Sequence, residues 1–205
     1  MTDLASGRYG AYDPVWLMLG KPNNATQSNV PVRSNASVIG LSTLVDNATQ
    51  ATKKGTLVAV PVQEGDVITK VTHLVGATAG KTGPFSFVAL YSGTTEKTEA
   101  KLLGQSANKS TEIKASEPWT QELEKAVLIT STNAPNGYIF AGLVLEATTI
   151  ETLVGVKIPT ACQKVWFPGC PEVLAVATTQ KAKSEAALTT PTETALELVP
   201  LVFLS

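Results

Sequence analysis

The sequence is poor in the residue types that most catalytic and metal sites use. Its 205 residues include one histidine and two cysteines, and charged residues are 16% of the chain. Ordinary soluble domains have about 25% charged residues. A zinc site needs four clustered ligands, which two thiols and one distant histidine do not supply. These shortages predict a protein without a metal, a cofactor or catalytic residues.

A charge imbalance and long apolar runs are also missing. The formal net charge is −1, so the chain has no basic field to hold nucleic acid or an anionic membrane. Apolar runs such as 126–129 and 198–204 are far shorter than the roughly 18 residues that a membrane helix needs. The first eight residues lack the basic stretch and apolar run of a secretory signal. We therefore expect neither nucleic acid nor membrane among the partners.

The two cysteines, Cys162 and Cys170, flank a Pro168-Gly169 turn. Such a turn could bring the two sulfur atoms close enough for a short-loop disulfide. The alternative is a pair of reduced cysteines in a cytosolic product, which the redox compartment favours. The sequence leaves both states open.

Residues 1–54 differ in composition from the rest of the chain. Aromatic and apolar residues concentrate near the start, and a polar run over 22–29 offers little to bury. This pattern predicts an extended N-terminal arm over 1–54. Because aromatic and apolar groups dominate interface energies, we expect its partner-binding anchors to be Tyr9, Tyr12, Trp16, Leu17 and Leu19.

From residue 55 the pattern is that of short β-strands. Residues 85–91 alternate with a period of two, and Asn136-Gly137 is typical of a hairpin turn that needs positive φ. Only 120–126 and 181–188 show weak helical character. The predicted strands are 56–62, 67–75, 85–91, 101–106, 119–123, 125–130, 138–147, 152–158, 163–167, 173–178 and 196–204. Their spacing predicts an all-β fold, an antiparallel β-sandwich of jelly-roll or Greek-key type over 55–205.

A series of short motifs repeats the order found in one known module. They are Gly55–Val62, Ile68–Leu74, Phe87–Gly93, Leu102–Gln105, Pro118–Thr120 and Asn136–Leu143. In order and spacing the series resembles the β-sandwich structural module of actinobacteriophage virion proteins. The resemblance covers about 55–160 and excludes the arm. It implies a head-decoration, head-fibre or minor tail protein.

The candidate catalytic residues favour structural roles. His73 lies within a predicted strand, and the chain has no Gly-x-Ser-x-Gly turn to present a nucleophile beside it. We expect His73 to fill a position in a sheet. The local carboxylate pairs are expected on a solvated surface and not in a glycosidase site; they are Glu96/Glu99, Glu122/Glu124 and Glu193/Glu197.

The three tryptophans offer a different function. Trp16, Trp119 and Trp166 could each stack on a sugar ring, because an indole supplies a flat apolar surface and one N–H donor. The alternative is structural: Trp119 fills the core of the sandwich and Trp16 docks the arm. We favour the structural interpretation for all three.

Together these observations lead to one expected function and one alternative. The expectation is a non-enzymatic bacteriophage virion protein, made in the host cytoplasm, that serves as a capsid decoration or minor capsid protein. Its partners would be the major capsid protein or other virion subunits, and it would form a homotrimer. The alternative is a tail-fibre or receptor-binding module that contacts a host surface glycan. An enzymatic function has no motif to support it.

Overall fold

A computed structural model of the chain describes residues 33–36, 44–49, 54–95, 99–107, 113–169, 173–178, 187–188 and 194–205. These residues form antiparallel sheets that pack against each other, with no helix of seven or more residues among them. A single 3-10 turn, Thr160–Cys162, is the longest helical piece in the described part of the chain. The predicted all-β sandwich is confirmed.

The described residues form fourteen strands. In chain order they are β1 (Arg33–Ser34), β2 (Leu44–Thr49), β3 (Lys54–Pro61), β4 (Val67–Leu74), β5 (Lys81–Tyr91), β6 (Ala100–Gln105), β7 (Pro118–Leu128), β8 (Tyr138–Thr149), β9 (Thr152–Lys157), β10 (Ala175–Thr178), β11 (Ala187–Leu188), β12 (Thr194–Ala195), β13 (Leu198–Pro200) and β14 (Val202–Leu204).

The strands assemble into three sheets. The largest has the order β11-β6-β5-β8-β3-β10-β12, the second has the order β1-β14-β4-β7, and the third has the order β13-β9-β2. Several neighbours in a sheet are distant in the chain. The last strand, β14, pairs with both β1 and β4, so the chain terminus lies inside the second sheet.

The core lies between the sheets and covers the central strands of the largest sheet on both faces. In β3, all residues from Leu57 to Val60 are buried, which explains why this strand is an unbroken apolar run without alternation. Phe140 of β8 stacks on Phe167 with ring centroids 3.8 Å apart. Such aromatic pairs add about 0.5–1.5 kcal/mol beyond the free energy of area burial.

Strand structure begins earlier in the chain than the sequence pattern predicts. β1 pairs with β14, and β2 pairs with β9, although both lie before Thr56 within the predicted arm. The prediction that the first strand begins at Thr56 is therefore wrong. Residues 1–32 of the predicted arm lie outside the described residues.

Two further predictions need correction. Residues 119–123 and 125–130 were expected to form separate strands, with weak helical character over 120–126; β7 is instead one strand, and its register with β4 shifts between Ile68 and Lys70. Residues 163–167 do not form a strand: the Gln163 side chain donates to the Ile158 carbonyl and the Trp166 backbone N–H donates to the Tyr138 side-chain hydroxyl, so neither bond belongs to a backbone ladder. The helical character of 181–186 lies outside the described residues.

Two ends of the sandwich matter for function. The turn end contains the β3–β4 turn at 62–66 and the loop at 129–137, where Gly137 has the positive φ of 73° expected of an Asn-Gly turn. The loop end, opposite to it, contains residues 75–80, 113–117 and 151–153. No helix in the described part of the chain is long and apolar enough to cross a membrane.

Candidate functional site

The predicted arm joins the sandwich at residues 33–36, which we call the N-terminal junction. β1 forms the edge of the second sheet, with Arg33 opposite Leu204 and Ser34 opposite Phe203. Ala36 is buried in the hydrophobic core. The junction thus places the residues that follow the first 32 directly against the last strand of the chain.

A salt bridge ties the junction to the turn end. Arg33 Nε donates to Asp66 Oδ2 at 2.6 Å, and an Arg33 terminal nitrogen donates to Asp66 Oδ1 at 2.8 Å and to Gln63 Oε1 at 2.9 Å. Asp66 is almost fully buried and also accepts from the Gln63 N–H at 2.8 Å. Two parallel N–H···O bonds to one carboxylate are the geometry that arginine favours and lysine cannot supply. The pair therefore fixes the direction in which the chain enters the sheet.

Asn35 supplies the second tie. The residue is fully buried, its side-chain N–H donates to the Pro200 carbonyl at 2.7 Å, and its side-chain oxygen accepts from the Val202 N–H at 2.9 Å. The Asn35 backbone N–H also donates to the Val202 carbonyl at 3.4 Å. Because buried backbone groups need partners, Asn35 satisfies two groups that the β13–β14 bend would otherwise leave unpaired.

The predicted partner-binding residues are not brought into view by the structure. Tyr9, Tyr12, Trp16, Leu17 and Leu19 all lie outside the described residues. The junction is the point in the described chain nearest to them in sequence. Neither Arg33 nor Asn35 was singled out in the sequence, since a lone Arg and Asn in a polar stretch carry no pattern.

His73 lies in β4 as expected and is buried. It is opposite Trp119 of β7 in the strand register, with ring centroids 6.4 Å apart, and its Nδ1 has no hydrogen-bonding partner among the described residues. Burial lowers the pKa of His73 from 6.5 to about 4, because desolvation penalises the charged ring. The imidazole is therefore neutral at pH 7 and shielded from solvent.

The described members of the predicted carboxylate pairs lie at the surface. Glu122 forms an exposed ion pair with Lys70 at 2.9 Å, and Glu197 forms one with Lys157 at 3.5 Å. Glu99 is exposed, while Glu96 and Glu193 lie outside the described residues. The surface interpretation is confirmed for Glu122, Glu99 and Glu197. A different carboxylate, Glu151, is buried, and no pattern in the sequence indicates this.

Trp119 and Trp166 are each only partly exposed. Trp119 packs against the core, in agreement with its structural interpretation. Trp166 lies at the turn end. Its backbone carbonyl accepts from the Thr94 hydroxyl at 2.8 Å, and its backbone N–H donates to the Tyr138 hydroxyl at 3.3 Å. The Trp166 indole Nε1 is buried and has no partner among the described residues. An indole held this way does not present its N–H to a sugar.

The remaining candidates and the comparisons add no further site. Cys162 is an exposed free thiol, and Cys170 lies outside the described residues. In the part of the chain that the structure describes, no three His, Cys, Asp or Glu side chains converge to hold a metal ion. The chain matches no protein-family model and no curated protein.

Proposed function

We propose that this chain is a non-enzymatic structural protein of a phage virion, a capsid decoration or minor capsid protein that attaches through its N-terminal residues. The anchors would be Tyr9, Tyr12, Trp16, Leu17 and Leu19, and the partners would be the major capsid protein or other virion subunits. Copies of the chain would associate as a homotrimer. The resemblance of 55–160 to phage virion modules is the starting point for this proposal.

The N-terminal junction is the observation that carries the proposal. An attachment segment is useful only if the body it carries is firmly joined to it. Here the joint consists of strand pairing with β14, the buried Asn35 bonds and the doubly bonded Arg33–Asp66 pair. A force on the N-terminal residues is therefore transmitted to the backbone of β13 and β14, which belong to two different sheets, and not to a single surface loop.

The position of the histidine also supports a non-enzymatic role. General-base catalysis needs a group within hydrogen-bonding reach of the substrate, with a pKa near the working pH. His73 is buried in a sheet and its pKa is lowered to about 4. It is not placed to take a proton from a substrate that arrives from solvent.

The alternative, a tail-fibre or receptor-binding module that contacts a host glycan, depends on the turn end. Tyr138, Phe140 and Phe167 form an aromatic cluster there, with Trp166 beside it. Sugar recognition by stacking needs an open aromatic face and a free donor. The buried Nε1 of Trp166 speaks against this use, so we favour attachment through the N-terminal residues.

The test compares the two surfaces on one particle. Phage particles that lack this protein are mixed with the full chain, with a chain lacking residues 1–32, and with the variants Trp16→Ala and Trp166→Ala. We expect the truncation to abolish co-sedimentation and Trp16→Ala to weaken binding by about 1–3 kcal/mol. Trp166→Ala, the matched control, should bind particles as the full chain does, provided its melting temperature shows that it is folded.

Opposite results would contradict the proposal. If the truncated chain decorates particles as well as the full chain does, attachment lies on the sandwich. If Trp166→Ala is the one variant with a defect, and it loses binding to host cells while it still binds phage heads, the receptor-binding alternative is supported instead.

A further inference from the structure

Glu151 is a buried carboxyl group at the loop end of the sandwich. It has 1% of its surface exposed, and neither Oε1 nor Oε2 has a hydrogen-bonding partner among the described residues. Its carboxyl lies directly over Gly80: a Cβ built on Gly80 would overlap Oε2 and lie 3.3 Å from Cδ of Glu151. A side chain at residue 80 would therefore have no room.

The carboxyl lies where three chain segments are joined by backbone hydrogen bonds. Gly76 N–H donates to the Thr152 carbonyl at 2.8 Å, and Thr152 N–H donates to the Thr78 carbonyl at 3.2 Å. Gly80 and Ile113 exchange N–H···O bonds of 2.9 and 3.1 Å. These bonds hold residues 76–80, 113–117 and 151–153 together at the loop end, and none of these segments offers the Glu151 carboxyl a hydrogen-bonding partner.

Among the side chains that the structure describes around Glu151, none supplies a compensating charge. Residues 76–80 and 152–153 contain no titratable side chain. On 113–117 the charged residues are Lys114 and Glu117, which are exposed and pair with each other at 3.9 Å. Lys81, the first residue of β5, has a side chain outside the described residues.

Burial raises the pKa of the Glu151 carboxyl above its ordinary value of 4.5, because desolvation penalises the ionised form. The backbone N–H of Glu151 itself favours the ionised form to a smaller degree, although it does not reach hydrogen-bonding geometry with either oxygen. A neutral carboxyl without partners costs far less to bury than a carboxylate without partners. The closed loop end therefore holds the proton more tightly than an open one would.

We propose that Glu151 is a proton-dependent latch of the loop end, which is closed while the carboxyl is neutral and opens when it ionises. On ionisation the carboxyl O–H bond breaks, its electron pair stays on oxygen, and the proton passes to water or buffer. The carboxylate then gains hydration only if residues 76–80 or 113–117 move away from it.

Hydrogen exchange measured against pH tests the latch. The opening equilibrium should rise about tenfold per pH unit between the pKa of the open end and that of the closed end, and should be constant outside that range. We expect this slope, after correction for intrinsic exchange, at the amides of Gly76, Gly80 and Thr152. The amides of Val62 and Gly65 at the turn end should not show it.

Two variants make the test specific. Glu151→Gln, which cannot ionise, should give protection at the loop end that does not change with pH. Glu117→Gln, the matched control, removes an exposed carboxyl at the same end and should leave the slope as in the wild type. An unchanged slope in Glu151→Gln would overturn the proposal, as would a slope of equal size at both ends.

A second measurement keeps the proposal testable if Glu151→Gln does not fold. The carboxyl carbon of Glu151 in the wild-type chain can be titrated by NMR. We expect its midpoint above 4.5 and coincident with the end of the pH-dependent exchange. A midpoint at the ordinary value of 4.5 would overturn the latch.

Discussion

Replacing Asn35 by alanine tests whether the N-terminal junction belongs to the sandwich. The variant removes the partner of the Pro200 carbonyl and the partner of the Val202 N–H, both buried with Asn35 between β13 and β14. A buried backbone group left unpaired costs about 1–3 kcal/mol. Two such groups predict a loss of about 2–6 kcal/mol in the free energy of unfolding, a large part of the roughly 5–15 kcal/mol that a domain has.

The chain provides a matched control for this variant. Asn133 also bonds two backbone groups through its side chain, accepting from the Thr130 N–H at 2.8 Å and donating to the Leu128 carbonyl at 2.9 Å. Asn133 is only partly buried, so water can replace its bonds. We expect Asn133→Ala to cost about 1 kcal/mol, the usual net value of a hydrogen bond.

Urea unfolding at pH 7, followed by circular dichroism, measures both variants. The free energies are compared only where the slopes against urea agree, since a changed slope signals a changed denatured or native state. A loss for Asn35→Ala no larger than that for Asn133→Ala would refute the reasoning. The junction would then lie on the surface of the sandwich without being part of its stability.

Further predictions concern truncation, pH and assembly. Deleting residues 1–32 should leave the melting temperature unchanged, whereas deleting 1–36 should lower it, because β1 and the Asn35 bonds are lost only in the second. Burial lowers the pKa of His73 from 6.5 to about 4, so the unfolded chain binds more protons between these values and stability falls as pH decreases through this window, by on the order of 3 kcal/mol. Urea unfolding of wild type and His73→Gln at pH 7 and pH 4.5 isolates this contribution; equal losses in both would contradict it. Light scattering should give three times the chain mass of 21.5 kDa, and a monomer would contradict the homotrimer.

The parts of the fold that the sequence predicts are those with a strong local pattern. β3, β4, β8 and β9 are apolar and β-branched, and each is found within two residues of its predicted bounds. β1 and β2 are polar or short, and they are strands only because β14 and β9 provide edges to pair with. No local pattern encodes such a partner from the other end of the chain.

The errors in the second half of the chain have a similar cause. The weak helical character of 120–126 is overridden by pairing with β4: β7 is an extended strand with most of its residues exposed or half-buried, and its register with β4 shifts between Ile68 and Lys70. Gln163 is buried because its side chain donates to the Ile158 and Leu196 carbonyls and accepts from the Leu174 N–H. No sequence pattern identifies a glutamine whose side chain bonds the backbone of neighbouring loops where strand pairing was predicted.

The residues of the candidate site were only partly predictable. The strand position of His73 follows from alternation, and the surface position of Glu122 follows from its polar surroundings beside Lys125. Arg33 and Asn35 draw their roles from contacts with residues 30 to 167 positions away, and Glu151 draws its role from the lack of a partner in a closed space. Their roles could not be inferred without the three-dimensional structure.

Quantitative mass spectrometry of purified phage particles tests the proposed function most directly. The measurement compares the copy number of this chain with that of the major capsid protein in the same particles. A capsid decoration or minor capsid protein predicts hundreds of copies on each particle. A few copies would point to a tail fibre, and absence from the particles would contradict a structural role in the virion.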